Sequence, residues 1–342
     1  MLASGDTYAS IVRLFIDDQR LWVFPHPLRW SYLGAARLFC AFGDCTHRTL
    51  ATLSTVAGIA AVALTYRLGL QLFERRTALV AAALMATSPL QLAMGRRALT
   101  DEFFCAMVLG ALVAMMSVLG EPSPGASRHP LPRSGRGALV VTWILATTFA
   151  FGAKELFLLT YPLVLLFWWL RERRIRWVAW ALPPFLYYAV FCALAGDVTS
   201  FFRVANITIS NMGAPYAAQF QNGPPHRLLI DLLAVAPLVT IAFIAAAAAV
   251  RAPEQRRLLL LAGGILVVQS LLSSKNLRYV ISADPLMRIL VASWLPRGRW
   301  LTVALIANAV AELAIFYVIF IAGDVYDPVT QDLLGALKML PH

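Results

Sequence analysis

The sequence predicts an all-α polytopic membrane protein, and three observations carry that prediction. Of its 342 residues, 60% are hydrophobic and only 14% charged, with a mean hydropathy of +0.70; a soluble domain would need far more polar surface. Long apolar runs alternate with short charged turns, the pattern of helices that cross a bilayer repeatedly. Arginine is divided unevenly between alternate turns, as expected of a chain whose two ends of each helix meet different compartments.

The opening Met1-Leu-Ala-Ser-Gly-Asp-Thr-Tyr8 has neither the basic start nor the apolar stretch of a signal peptide or first span. Ile11, Val12, Leu14, Phe15 and Ile16, interleaved with Arg13, Asp17 and Asp18, predict an amphipathic helix that Pro25-His-Pro27 stops. A second follows from Leu28 to Phe42, and both suit the membrane interface. Ten spans are then predicted, at 49–70, 77–94, 100–119, 137–153, 156–170, 177–195, 228–250, 257–272, 279–295 and 300–322. Several are short for a bilayer core of about 30 Å and must be tilted, broken or shielded. The chain reads as one membrane domain, 1–342: an outer-face amphipathic segment at 1–48, the bundle at 49–322, an outer loop at 196–227 and an outer tail at 323–342.

Turns after odd-numbered spans hold fifteen arginines, from Arg67 to Arg299, while the opposite turns hold seven basic residues: Arg96, Arg97, Lys154, Arg203, Arg227, Lys275 and Arg278. The richer set marks the cytoplasmic side. Residues 121–137, rich in proline, serine, glycine and arginine, read as a cytoplasmic loop. An N-terminus facing outward with no span before it leads to the expectation that a first helix is missing upstream.

The net charge of +11 has its place in cytoplasmic loops, so it does not point to nucleic acid. Of four cysteines, Cys105 and Cys192 read as small core residues, while Cys40 and Cys45 are close enough to bridge on an oxidising face. The five histidines lack metal-ligand spacing, and no glycine pattern for a nucleotide is present.

Charged residues gather on the outward turns. Gly95-Arg-Arg-Ala-Leu-Thr-Asp-Glu102 places two arginines and two acids between apolar runs. On one reading Thr100 caps a helix whose first turn carries Asp101 and Glu102; on the other, Arg97 and Asp101 face a shared cavity. Lys154-Glu155 sits at the membrane boundary, Ser273-Ser-Lys-Asn-Leu-Arg-Tyr279 fills another outward turn, and Asp284 and Arg288 stand inside an apolar run. Lysine occurs only at 154, 275 and 338. Lys154 suits a phosphate as a point charge, or it pairs with Glu155 or another acid. Such a face suits a transfer in which a carboxylate deprotonates an acceptor while cations hold a departing phosphate, as a lipid-linked sugar would supply.

These motifs resemble the GT-C glycosyltransferases, specifically bacterial relatives of the protein O-mannosyltransferases and lipid A aminoarabinose transferases (family 39-like). Leu64-Thr-Tyr-Arg-Leu-Gly69 through Leu72-Phe-Glu-Arg-Arg76 to Ala86-Thr-Ser-Pro89 is similar to that family's second and third spans. Gly95 to Asp101 resembles its arginine-to-aspartate element, Gly152-Ala-Lys-Glu155 its Lys-Glu turn, Gln219-Phe-Gln-Asn-Gly-Pro224 its outer-loop motif, and Arg278-Tyr279 its late Arg-Tyr pair.

The resemblance implies a GT-C-like helical bundle of the bacterial cytoplasmic membrane with its site on the outer face. It implies inverting transfer of a hexosyl or pentosyl group from a polyprenyl-phosphate carrier to a lipid, glycan or protein acceptor. The transfer it implies is metal-independent or weakly metal-dependent, so no cofactor is assigned and a divalent cation is left open. Asp6 takes the place of the family's general base, with Thr7 where glutamate is common; Arg97 and Asp101 position it or the acceptor. Lys154 and Arg278, with Lys275 as the weaker choice, become donor-phosphate ligands, and Tyr216, Gln219 and Gln221 belong to the acceptor or donor loop. The alternatives are a transporter or flippase of a lipid-linked sugar and an inactive, truncated homologue. A transporter would show repeats or broken-helix pairs, neither of which the sequence displays.

Overall fold

The computed structural model describes residues 26–120, 133–173, 177–211, 221–296 and 298–339. Asp6, Tyr216 and Gln219, with the amphipathic helix expected around Ile11, lie outside these residues. Among the described residues the structure is helical apart from one isolated antiparallel bridge, Asn222 with Ser274.

Each stretch expected to span holds helix. His47–Leu72, Thr100–Leu119, Trp177–Ala195 and Arg299–Ala322 are long and apolar enough to cross a membrane; Gly137–Ala153, Phe157–Arg171 and Pro237–Ala248 are apolar but shorter. Two expected spans are broken, which their apolarity alone did not reveal. Arg75–Ala86 and Pro89–Gly95 are bent by 58°, and Arg227–Val235 gives way to Pro237–Ala248. At both breaks a proline without an amide hydrogen opens the second helix. The outer loop also contains more order than expected, the helix Thr199–Asn211, and the tail holds Thr330–Ala336.

The chain forms two compact units. The first comprises 1–61, 94–120 and 129–214. Here Thr100–Leu119 packs along Arg133–Ala153, and aromatic rings fill the spaces between helices. Trp143 meets Trp168 edge to face at 4.8 Å, while Phe151 touches Phe157 at 4.8 Å, Tyr161 at 4.9 Å and Tyr187 at 5.6 Å. Phe201 explains the unforeseen helix: its ring packs on Tyr188 and Phe191, and Val204 is buried with Phe191 and Leu28. Val141, Leu145, Phe149 and Phe185 stay exposed, as suits side chains solvated by lipid. Cys40 and Cys45 form a disulfide just beyond Trp30–Cys40, the second amphipathic helix.

The second unit comprises 62–93, 121–128 and 215–342. Its centre is Asp284–Trp294, buried from Asp284 to Ala292. That helix packs on Arg75–Ala86, Pro237–Ala248 and Pro253–Leu271, so its two charged residues have no route to water and must be paired within the protein.

Candidate active site

In the first unit the hinge at 95–102 is held by hydroxyls of a neighbouring helix. Ser54 Oγ donates to the Leu99 carbonyl at 3.1 Å and Thr55 Oγ1 to that of Gly95 at 2.8 Å, which satisfies backbone groups left open between two helices. Leu99, extended at φ −125° and ψ 155°, takes the cap position. Thr100 is therefore the first helical residue and not the cap. Asp101 and Glu102 still occupy the first turn, where the helix dipole favours negative charge. The two arginines divide: Arg96 is exposed, whereas Arg97 retains 3% exposure. Asp101 and Glu102 are buried beside it in sequence, and Gly58 makes room for the glutamate, since a Cβ there would lie 3.3 Å from Glu102 Oε1.

Lys154 follows the last residue of Arg133–Ala153 and forms a buried ion pair with Asp101. The amine sits at the negative end of one helix and the carboxylate at the positive end of another, so both dipoles and the pair act in the same direction. Glu155 does not pair with Lys154. It takes Arg29 instead, with Nε at 2.8 Å and Nη2 at 2.5 Å from its two oxygens. Burial disfavours the Glu155 anion, but the Arg29 guanidinium outweighs it and holds the carboxyl below its ordinary value. The stabilisation from this clip is thus complete above the ordinary glutamate range and is lost as pH falls through the lowered value. Arg29, which reads in sequence as the polar face of an amphipathic helix, was not recognisable as Glu155's partner.

The glycine of the Gly152-Ala-Lys-Glu155 turn has a steric cause. A Cβ at Gly152 would come within 2.6 Å of the Trp30 indole, whose ring also meets Phe149 at 5.5 Å. Gly152→Ala is expected to displace Trp30 and cost about 1–3 kcal/mol through overpacking, seen as a lower melting temperature with altered tryptophan fluorescence.

In the second unit the bridge between Asn222 and Ser274 joins the outer-loop motif to the 273–279 turn, with the Lys275 amide donating to the Gln221 carbonyl at 2.6 Å. Three predicted residues, Gln221, Lys275 and Arg278, are thereby brought together. Ser274 Oγ and Tyr279 Oη both donate to Gln221 Oε1. The Lys275 side chain bonds the Leu272 carbonyl, and burial, then the field of Arg227, hold its ammonium below the usual lysine value. Asp327 is central and was not anticipated: it accepts from Asn276 Nδ2 at 2.6 Å and Gln221 Nε2 at 3.3 Å, and pairs with Arg278 Nε at 3.2 Å. Its one sequence signal is an acid before proline in a short polar tail, which alone is a weak sign.

Asp284 and Arg288, whose place inside an apolar run points to a protein interior or a wet cavity, belong to a separate buried network of this unit. Arg288 binds Asp284 Oδ1 at 2.9 Å and both oxygens of Glu312, at 2.8 and 3.0 Å. Thr87 Oγ1 donates to Glu312 at 2.9 Å and Ser88 Oγ to Asp284 at 2.8 Å, so the break between Arg75–Ala86 and Pro89–Gly95 is filled by these acids.

A family model, dolichyl-phosphate-mannose-protein mannosyltransferase, matches residues 26–126. No match was found among curated proteins. Among solved structures, ArnT from Cupriavidus metallidurans bound to undecaprenyl phosphate is 18% identical with a TM-score of 0.59, over 92% of this chain and 60% of that one. The archaeal oligosaccharyltransferase AglB from Archaeoglobus fulgidus, in complex with an inhibitory peptide and a dolichol-phosphate, is 12% identical with a TM-score of 0.60, over 92% of this chain and 51% of that one. The chain therefore spans about 60% of the length of ArnT. Its helical, multi-pass architecture agrees with the expected fold class: the chain has the GT-C fold of these structures, and its residues 26–126 are similar to the dolichyl-phosphate-mannose-protein mannosyltransferase family.

Proposed function

We propose that this protein transfers a hexosyl or pentosyl group, with inversion, from a polyprenyl-phosphate carrier to an acceptor on the outer face of the bacterial cytoplasmic membrane. The observation that supports it most is a GT-C fold that pairs acids with cations in an otherwise apolar chain, Asp101 with Lys154 buried at two helix ends and Asp327 with Arg278 half-buried between two turns. In this reading Asp6 takes a proton from the acceptor hydroxyl or amine, and the freed lone pair attacks the anomeric carbon. The bond from that carbon to the phosphate oxygen breaks, and its electron pair leaves with polyprenyl phosphate. Lys154 and Arg278, assisted by Lys275, stabilise the charge that develops on the leaving group. Arg97 and Asp101 orient the base or acceptor, and Tyr216, Gln219 and Gln221 serve as the acceptor or donor loop.

Broken helices are also a feature of transporters, where the break binds the cargo. Here Thr87 and Ser88 donate to Glu312 and Asp284, so hydroxyls at the break are engaged by the protein itself, which favours the transferase. Purified protein supplied with a polyprenyl-phosphate hexose and a suitable acceptor should release free polyprenyl phosphate, measured by mass spectrometry. Asp6→Asn should slow that release at least about 100-fold; normal turnover would remove Asp6 as the base.

A further inference from the structure

We infer that Asp327 is a positioning residue for the donor phosphate, acting through Arg278; this rests on the transferase reading above. Three segments distant in sequence meet at its carboxylate. Oδ1 accepts from Asn276 Nδ2 at 2.6 Å and faces Arg278 Nε at 3.2 Å, while Oδ2 takes Gln221 Nε2 at 3.3 Å. Asn276 works on Arg278 a second time, because its Oδ1 accepts the Arg278 amide at 3.0 Å. One arginine thus has its backbone hydrogen-bonded by an amide and its guanidinium ion-paired with the acid that the same amide binds.

The chemistry gives this arrangement a direction. An arginine on a flexible stem binds phosphate well only when its planar fork is preset, because ordering it otherwise costs conformational entropy at the moment of binding. The ion pair sets the Asp327 charge 3.2 Å from Nε, at the point where the guanidinium joins its stem, and so favours one placement of the fork. The same carboxylate tethers the outer-loop residue Gln221, whose backbone carbonyl accepts the Lys275 amide at 2.6 Å. Asp327 therefore sets Arg278 directly and Lys275 through one residue. It lies in the segment before Thr330–Ala336, and Pro328 anchors that segment by accepting the Leu277 amide at 3.4 Å.

The test measures binding of undecaprenyl phosphate to the full chain in detergent micelles, with melting temperatures recorded in parallel. Asp327→Asn should weaken binding about tenfold, the loss of one charge-assisted contact, and Asp327→Glu should return it to within about threefold. Arg278→Gln should weaken it as well, and adding Asp327→Asn to Arg278→Gln should cost well under the tenfold it costs alone, since the acid acts mainly through the arginine and only the smaller part that reaches Lys275 through Gln221 remains. An Asp327→Asn protein that melts earlier but binds as wild type overturns the inference and leaves the transferase reading standing; so does full additivity of the two substitutions. Wild-type protein that fails to bind the carrier phosphate overturns both. Should Asp327→Asn not fold, Asn276→Ala tests the same hold on Arg278, and unchanged binding there also overturns it.

Discussion

Arg288→Met should destabilise the protein by about 3–5 kcal/mol, the cost of leaving a buried charge without its partner. Arg288 is fully buried, and Asp284 and Glu312 retain 4% and 1% exposure. Removal of the guanidinium leaves two carboxylates facing one another's field, with the neutral donors Thr87, Ser88 and Gln91 bonded to them among the described residues. Neither acid can recover its hydration in a helix core, so each must take up a proton or drag water inward. The Leu84 carbonyl also loses its bond from Arg288 Nη1 at 2.5 Å, on the last turns before the break at 87–88. Destabilisation should therefore concentrate in Arg75–Ala86 and its packing on Asp284–Trp294. Unfolding free energy in mixed micelles measures the total, and hydrogen exchange its location. The triple replacement Asp284→Leu, Arg288→Met and Glu312→Leu should recover most of the loss, because apolar groups of similar size can replace a buried ion network at little cost. A triple variant as weak as the single one would show that shape and hydroxyl bonding, not charge pairing, hold this region.

This triad also shows what a sequence can and cannot disclose. Asp284 and Arg288 stand out because charge is rare in apolar runs, and their spacing of four places them on one helix face. Glu312, in contrast, sits in another run separated by a turn, and nothing local says that it completes the group. Helices themselves were legible for the same reason that most charges were: apolar length and charged turns are one-dimensional signals. The breaks at Pro89 and Pro237 were less so, since proline within a membrane helix either kinks it or is absorbed, and the outcome depends on neighbours. Partner choice was least legible. Lys154 has Glu155 beside it in sequence but Asp101 beside it in space, because consecutive residues point to different sides of a helix end and the pair forms only once Thr100–Leu119 packs on Arg133–Ala153. Asp327 was hidden for the same reason, its three partners lying 49 to 106 residues away in sequence.

The Asp101 and Lys154 pair allows architecture and chemistry to be separated. Each single neutral substitution, Asp101→Asn or Lys154→Met, should cost about 3–5 kcal/mol, since both groups are nearly dry and each substitution breaks a buried ion pair from one side. The double variant should recover most of that, losing only the modest dipole terms of about 0.3–1 kcal/mol at each helix end. Activity should follow a different pattern. If Lys154 meets the carrier phosphate as the bond to the sugar breaks, its ammonium stabilises charge that appears only then, a contribution of about 100- to 1,000-fold in rate. Release of polyprenyl phosphate should then stay depressed in the double variant although its stability has returned. In the reacting state the lysine must divide its charge between Asp101 and the phosphate, so Asp101→Asn alone should tighten binding of undecaprenyl phosphate in whatever fraction remains folded while slowing turnover through loss of orientation. A double variant that is both stable and active would assign the pair to holding two helix ends together and would take Lys154 out of the phosphate site.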